Sequence, residues 1–303
     1  MNATTTAAIP RKRKRVRFSL AYWFIAPAVI LIMLLAVYPT FRVIYLSLMD
    51  YSRRTQEVSF VGLQNFIDLL GAPLFLRIFK QTIMFSLFSS LGHILLGLLL
   101  ALAMNADLNR KLVSACRAMI LLPWALSPIV VAILTQLLTY PPTSPVTKIL
   151  RAFGSMAEFA PLASSKTALW TLTAINVWQF TPFFMLMILA GLQTMDPEQH
   201  EAAKVDGASG FQRLRFITLP HIRSVLLTLS LFDLVTTTAY FDLIWVTTQG
   251  GPVRSSEVLA TYIYRAGFLT LDWNRAATAG MILLLLCITL AAIVVVIMER
   301  GQE

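Results

Sequence analysis

Apolar residues gather into six long runs along this chain, at about 20 to 41, 82 to 104, 117 to 138, 168 to 192, 224 to 247 and 276 to 298. Each is long enough to cross a hydrocarbon core, which takes roughly 20 residues of helix. The pattern predicts an all-α membrane protein, with six transmembrane helices in a single domain over residues 20–298. Polar stretches divide the remainder. A small-residue and then basic tail covers 1–19, and an outer segment over 49–79 carries turn formers and a short helix around Val61 to Leu70. A proline-rich outer segment over 140–166 holds a short helix near Val146 to Phe153, a polar loop covers 193–223, and 299–303 form a tail. The first run exceeds the apolar region of about 7 to 15 residues in a secretory leader and lacks an A-x-A cleavage site, so it reads as a retained helix. It is expected to end near Pro39.

Composition agrees. The chain is 57% hydrophobic and 13% charged, where a soluble domain has about 25% charged residues. A net charge of +10 raises nucleic acid as a partner, and Arg11 to Arg17 (RKRKRVR) resembles a basic nucleic-acid patch. Placed before an apolar run, the cluster is instead a topology signal. With six from that cluster and Arg110, Lys111, Arg117, Lys204, Arg213, Arg215, Arg223 and Arg300, 14 of the 25 Lys and Arg fall on one side. The positive-inside rule then puts both termini and the 193–223 loop in the cytoplasm. Cys116 and Cys287 lie in or beside apolar runs and point to packing rather than to a disulfide framework or a metal site.

Inside the runs, polar and helix-bending residues mark candidate chemistry. Ser89, Ser90, Gly92 and Gly97 suit close helix packing in a bilayer. His93 sits among them, and an ionisable residue at membrane depth is a functional candidate, with a neutral histidine hydrogen-bonded inside the bundle as the simpler expectation. Pro123, Pro128 and Pro182 remove intrahelical hydrogen bonds, which a bilayer tolerates where neighbouring protein or a watery cavity satisfies the freed carbonyls.

The 193–223 loop carries the most specific pattern. Asp196-Pro197-Glu198-Gln199 reads as a helix start, with Asp196 as N-cap and Gln199 placed to close a capping box. The helix runs to about Val205, Gly207 supplies the left-handed turn that ends it, and Ser209 with Gln212 opens a second short helix. Pro220 then opens the fifth membrane helix. Glu201, Ala202, Ala203 and Gly207, followed by Ile217, Leu219 and Pro220, reproduce a long gapped pattern that resembles the cytoplasmic coupling loop of ABC importer permeases. Ala202 and Ala203 keep the first helix slim enough for a groove, while Val205, Ala208, Phe211 and Leu214 offer apolar contact.

The resemblance extends to Trp178, Pro182-Phe183, Leu189 to Ser209, FDLIW (Phe241 to Trp245), GGP (Gly250 to Pro252) and YIYRAGF (Tyr262 to Phe268), and it is to the carbohydrate-uptake branch. It implies a type I permease bundle in a bacterial or archaeal inner membrane, working by alternating access. Glu201, Ala202, Ala203 and Gly207 would be the ATPase-coupling residues. The implied partners are two ABC ATPase subunits that bind ATP and Mg, a second homologous permease, an extracytoplasmic solute-binding protein and a sugar-like substrate. The chain has no G-x-x-x-x-G-K-[ST] segment, so it is expected to be a transport subunit without cofactor or ATPase site of its own. Two departures from the pattern are Ser144-Pro145-Val146-Thr147 and an acid, Asp233, in the fifth run.

On a regular fifth helix Asp233 and Asp242 lie about 13 Å apart along the axis and about half a turn from a common face. They cannot both line one small site there. Asp242 shares a face with Thr238, Trp245 and Gln249, a carboxylate, indole and amide that suit a sugar. Asp233 is expected to pair with a neighbouring helix or with the second permease. On the fourth helix Asn176, Gln179, Phe180 and Phe183 form one stripe. Asn176, Gln179, Tyr240 and Asp242 are therefore the candidate substrate-path residues, against a purely structural role in helix-to-helix hydrogen bonding. Glycerol phosphate or its diesters are a second substrate class. A different class, an ion-coupled transporter, would use His93, Asp233 and Asp242 as proton carriers; the coupling pattern argues against it.

The charge count yields a topology test. In a Cys116→Ser, Cys287→Ser background, a cysteine at Gln199 should react with an impermeant thiol reagent only after cells are opened, and one at Ser155 should react in intact cells. The reverse pattern would invert the orientation.

Overall fold

The computed structural model describes residues 20–51, 58–106, 110–140, 144–153 and 159–300. The basic tail and residues 301–303 lie outside these, as does Ser155. Five helices or helix pairs are long and apolar enough to cross a membrane, and a sixth span is a pair bent by 93°.

The first span joins α1 (Leu20–Ile32) to α2 (Tyr38–Ser47) through a π-helical turn at Met33–Val37. Pro39 does not end it, contrary to the sequence expectation. The wider turn absorbs the proline: the Tyr38 N–H reaches back five residues to the Met33 carbonyl, so the missing donor breaks no regular register. A two-stranded antiparallel hairpin follows, β1 (Met49–Tyr51) with β2 (Val58–Phe60) and Asp50 opposite Ser59. Asn65 of α3 (Gln64–Gly71) ties the hairpin down, its amide donating to the Ser47 and Met49 carbonyls at 3.0 and 2.8 Å.

The second span, α4 (Pro73–Met104), begins nine residues before the apolar run suggested. Pro73 takes an early helical position, where its missing N–H costs nothing, and the added turns bury Phe75, Ile78, Gln81 and Thr82 while Arg77 and Lys80 stay exposed. The third span is α5 (Arg110–Ala125) and α6 (Pro128–Thr139). Sequence reading made it one kinked helix. It is broken outright, because Pro128 forces Ser127 into an extended conformation (φ −60°, ψ 140°) and cannot donate across the gap. Then come α7 (Pro145–Ala152), as expected, and α8 (Ala168–Leu192), which keeps Pro182 within one continuous helix.

The polar loop folds into α9 (Pro197–Val205) and the short α10 (Gly210–Arg213), then a π-helical turn over Leu214–Thr218 and α11 (Leu219–His221). The fifth span starts after Pro220, at α12 (Arg223–Thr238), and it too is interrupted before α13 (Asp242–Thr248). A loop with positive φ at Gln249, Gly250, Val253 and Arg254 leads to α14 (Leu259–Tyr264), and α15 (Trp273–Glu299) is the sixth span. Cys116 and Cys287 are half-buried thiols.

Helices α4 and α8 run parallel and form the axis of the bundle, with α12 antiparallel against both. Among lipids apolar burial gives little drive for helices to associate, and close packing takes over. Gly97 shows this contact directly. A Cβ placed there would lie 2.9 Å from Phe184 Cβ and 3.1 Å from the Met185 backbone nitrogen. At Gly92 it would lie 2.6 Å from a Val177 methyl. Gly97→Ala should therefore force α4 off the α8 backbone and destabilise the protein by about 1 to 3 kcal/mol. Gly71→Ala, where a Cβ meets nothing within 4 Å, is the control. Thermal unfolding in detergent measures both; equal melting curves would mean that the α4–α8 contact does not set stability.

Candidate functional site

Two regions combine unusual residues with geometry suited to work. The first is a cavity of about 330 Å³ within the bundle, between α8, α12 and the end of α5. Its walls are largely aromatic, from Trp124, Phe180, Phe183 and Phe232, and its polar groups are Asn176, Asp233, Thr236, Thr237 and Tyr240. Apolar walls with a few placed polar groups are the usual composition of a small-molecule pocket, and the volume is at the low end of the roughly 300–1,000 Å³ range.

Asp233 is 2% exposed and anchors the polar side of this cavity. One carboxylate oxygen lies 2.9 Å from Nδ1 of His93 on α4, and the other accepts from the Thr237 hydroxyl at 2.8 Å. Nε2 of His93 lies 3.2 Å from the Asn176 carbonyl. Both ring nitrogens thus face acceptors. The ring also stacks on Phe184, centroids 4.9 Å apart. One histidine therefore ties together α4, α8 and α12.

The candidate path residues separate in space. Asn176 and Tyr240 both line the cavity, and the Asn176 side-chain oxygen and Tyr240 hydroxyl are buried without a protein partner. Gln179 is buried but turned elsewhere, donating at 3.2 Å to the carbonyl of Leu126 at the break between α5 and α6. Asp242 is exposed and begins α13, where an acid complements the positive end of the helix.

The regular fifth helix assumed from sequence does not exist, so the face shared by Thr238, Asp242, Trp245 and Gln249 is not continuous. Thr236 and Thr238 turn their hydroxyls back onto the carbonyls four residues earlier, which favours bending, and the helix stops at Ala239. Asp233 does pair with a neighbouring helix, as expected, but it lines the cavity as well. Phe180 and Phe183, on the stripe read from sequence, do line the cavity, and Phe232 could have been found as the aromatic residue that faces them from the fifth span. The partnership of His93 with Asp233, 140 residues apart, had no local signal.

The second region is the α9–α10 loop. Asp196 caps α9 by accepting from the N–H of Glu198 at 3.0 Å, rather than closing a box with Gln199. Gly207 has φ +77° between the two helices, and the Ser209–Gln212 capping box is complete, with bonds of 2.7 and 3.3 Å. Glu201 and Ala202 are exposed and Ala203 is half-exposed. Val205, Phe211 and Phe216 are 87%, 70% and 68% exposed. A small apolar patch on a polar, well-capped projection is the form of a docking surface.

Removing one member of a buried hydrogen-bonded pair leaves the other unsatisfied at a cost of about 1 to 3 kcal/mol, more for a charged group, whereas replacing both by apolar groups can be nearly neutral. His93→Leu and Asp233→Leu should each lower the melting temperature of the protein more than the double replacement does. Additive losses in that cycle would show that the two side chains are not coupled.

Residues 63–303 match the family model described as binding-protein-dependent transport system inner membrane component. The sulfoquinovosyl glycerol transport system permease protein SmoG of Agrobacterium fabrum is 31% identical over 276 residues, covering 89% of this chain and 88% of that protein. The sn-glycerol-3-phosphate transport system permease protein UgpA of the same organism is 31% identical, covering 90% and 92%. The trehalose/maltose transport system permease protein MalF of Thermococcus litoralis is 31% identical, covering 82% and 84%. In structure the chain superposes with a TM-score of 0.83 on a chain of a bacterial ABC transporter involved in import of the acidic polysaccharide alginate, at 24% identity and over 94% and 96% of the two chains. The six-span bundle is thus the type I ABC importer fold, and the chain belongs to the family of binding-protein-dependent transport system inner membrane components.

Proposed function

We propose that this chain is the permease subunit of an ABC importer for a sugar or related polyol, with the cavity beside the His93–Asp233 pair as the substrate path. The observation that carries the reading is the cavity itself. Its aromatic walls suit the apolar faces of a sugar ring, and the unpartnered oxygens of Asn176 and Tyr240, with Asp233 and two threonines, suit hydroxyl groups. Similarity to permeases named for sulfoquinovosyl glycerol and for trehalose and maltose supports the same class.

The α9–α10 loop docks, in this reading, on a separate ATPase, which binds ATP and Mg; two such subunits, a homologous second permease and an extracytoplasmic solute-binding protein complete the assembly. The loop lies in the cytoplasm with both termini. The span Tyr22–Ser47 buries nothing of its apolar window within the chain, which leaves that helix for lipid or for the second permease. ATP-driven movement of the loop opens the cavity alternately to the two sides.

Glycerol phosphate is the second substrate reading, favoured by similarity to UgpA. The cavity's lining holds no Lys or Arg among the described residues and does hold Asp233. A phosphate would meet a carboxylate there instead of the cations that recognise it.

The test uses the full assembly in proteoliposomes. Gly207→Val places a β-branched residue at positive φ, which costs upwards of about 1–2 kcal/mol, and should suppress both uptake and the ATPase stimulation by loaded binding protein. Asn176→Leu should raise the substrate concentration needed for uptake roughly two- to ten-fold, the worth of a hydrogen bond, and leave that stimulation intact. Wild-type uptake without ATP, driven by an ion gradient, would refute the reading. Unchanged kinetics in Asn176→Leu would move the path elsewhere.

A further inference from the structure

At the end of the bundle opposite the α9–α10 loop, three arginines from separate parts of the chain meet around one small cavity. Arg254 comes from the loop after α13, Arg265 from the π-helical turn Arg265–Leu269 and Arg275 from the first turn of α15. The cavity measures about 160 Å³, and Tyr262 and the start of α4 at Ala72, Leu74 and Phe75 complete it. No side chain caps that start of a 32-residue helix, so its positive end adds to the field of the three guanidiniums. The local acids do not cancel this charge. Buried Glu257 takes Arg265 at 3.0 Å and Arg254 at 3.4 Å, and Asp272 stands 4.0 Å from Arg275. Three cations face two carboxylates.

Depth in the membrane narrows the ligand. Trp273 and Arg275 immediately precede the apolar run that starts at 276, so the α15 wall of the cavity stands where the sixth span leaves the hydrocarbon core. Exposed apolar side chains flank it: Leu76, Phe268, Leu269, Leu271 and Trp273 are 47% to 64% exposed. Aromatic residues at this level mark the membrane interface, and a guanidinium matches the oxygens of a phosphate with two parallel hydrogen bonds.

We propose that this cavity binds the phosphate of an anionic phospholipid, with Arg254 and Arg275 as its ligands and the acyl chains lying along Leu76 and Phe268. Arg265 is committed to Glu257 and the Gln249 carbonyl, and it positions the site. The inference needs only the membrane-spanning fold and is independent of the substrate.

The complete transporter in nanodiscs of phosphatidylcholine, with phosphatidylglycerol added in steps, tests this by native mass spectrometry of retained lipid. Wild type should retain phosphatidylglycerol over phosphatidylcholine. At about 1 kcal/mol for each basic residue near the surface, Arg254→Gln or Arg275→Gln should weaken that retention roughly five-fold, and the pair roughly 25-fold. Uptake and binding-protein affinity should change less than retention does. Wild type without preference for the anionic lipid would overturn the proposal, with no variant needed. Retention unchanged in the double variant would overturn it too. Displacement of the lipid by millimolar inorganic phosphate would reassign the site to a free anion, and a loss confined to binding-protein affinity would reassign it to an acidic protein surface.

Discussion

A bilayer offers no partner to an unpaired backbone carbonyl, and the interruptions in this bundle depend on side chains that supply one. Three glutamines do much of this. Gln179 reaches from α8 to the Leu126 carbonyl at the broken third span, and Gln136 donates from α6 to Val246 and Thr247 at the end of α13, at 2.8 and 2.9 Å. Gln81 of α4 holds the Ser255 carbonyl at 2.7 Å. The neighbouring Thr82 hydroxyl accepts from the N–H of Leu259 at 2.8 Å, opening α14. The Gln179 bond crosses from an unbroken helix to the break in the third span, the Gln136 bonds join the two interrupted spans, and Gln81 and Thr82 hold the loop that opens α14. Without them the bends would expose carbonyls to lipid, and six straight helices would leave no room for a cavity.

The cavity lies where two kinds of contact meet. Near its base, glycines let α4 and α8 approach until a methyl group would not fit. At its side, the third helix is held by charge and hydrogen bonds, through His93 and Asp233. Close packing fixes α4 to α8 as one body, and α12 joins it through apolar contacts of Val225, Leu226 and Leu229 toward the loop and through a polar tie at Asp233 further along. Such a polar tie is directional and strong in low dielectric.

Sequence reading found what local pattern specifies. The six spans, the two loop helices, the positive φ at Gly207, the Ser209–Gln212 box and the helix at Pro145 depend on runs or spacings within a dozen residues, and the structure has them all. It could not find where helices fail. Proline at 39, 128 and 182 gave a π turn, a clean break and an unbroken helix, because the outcome depends on whether neighbouring donors and acceptors meet the freed groups. The same limit misplaced the face of Asp242. A helical wheel holds only as far as the helix continues, and this one ends at Ala239 after a run of three threonines, of which Thr236 and Thr238 bond back to the backbone.

The arrangement explains how a loop at one end can act on a cavity deeper in the bundle. The α9–α10 unit is covalently joined to the end of α8 at Leu192 and, through α11, to the start of α12 at Arg223. Those two helices carry Asn176 and Asp233, both of which line the cavity. In the proposed mechanism a push on the loop therefore changes the angle between the two helices, with packed stretches as rigid arms and the approach of Gly191 to Val225 near the loop, where an added Cβ would lie 3.2 Å from a Val225 methyl, as a fulcrum. His93 resists that motion on the far arm. Cavity opening then requires either that the His93–Asp233 contact survive the rotation or that a substrate hydroxyl replace it, since an isolated buried carboxylate would cost more than the motion could supply.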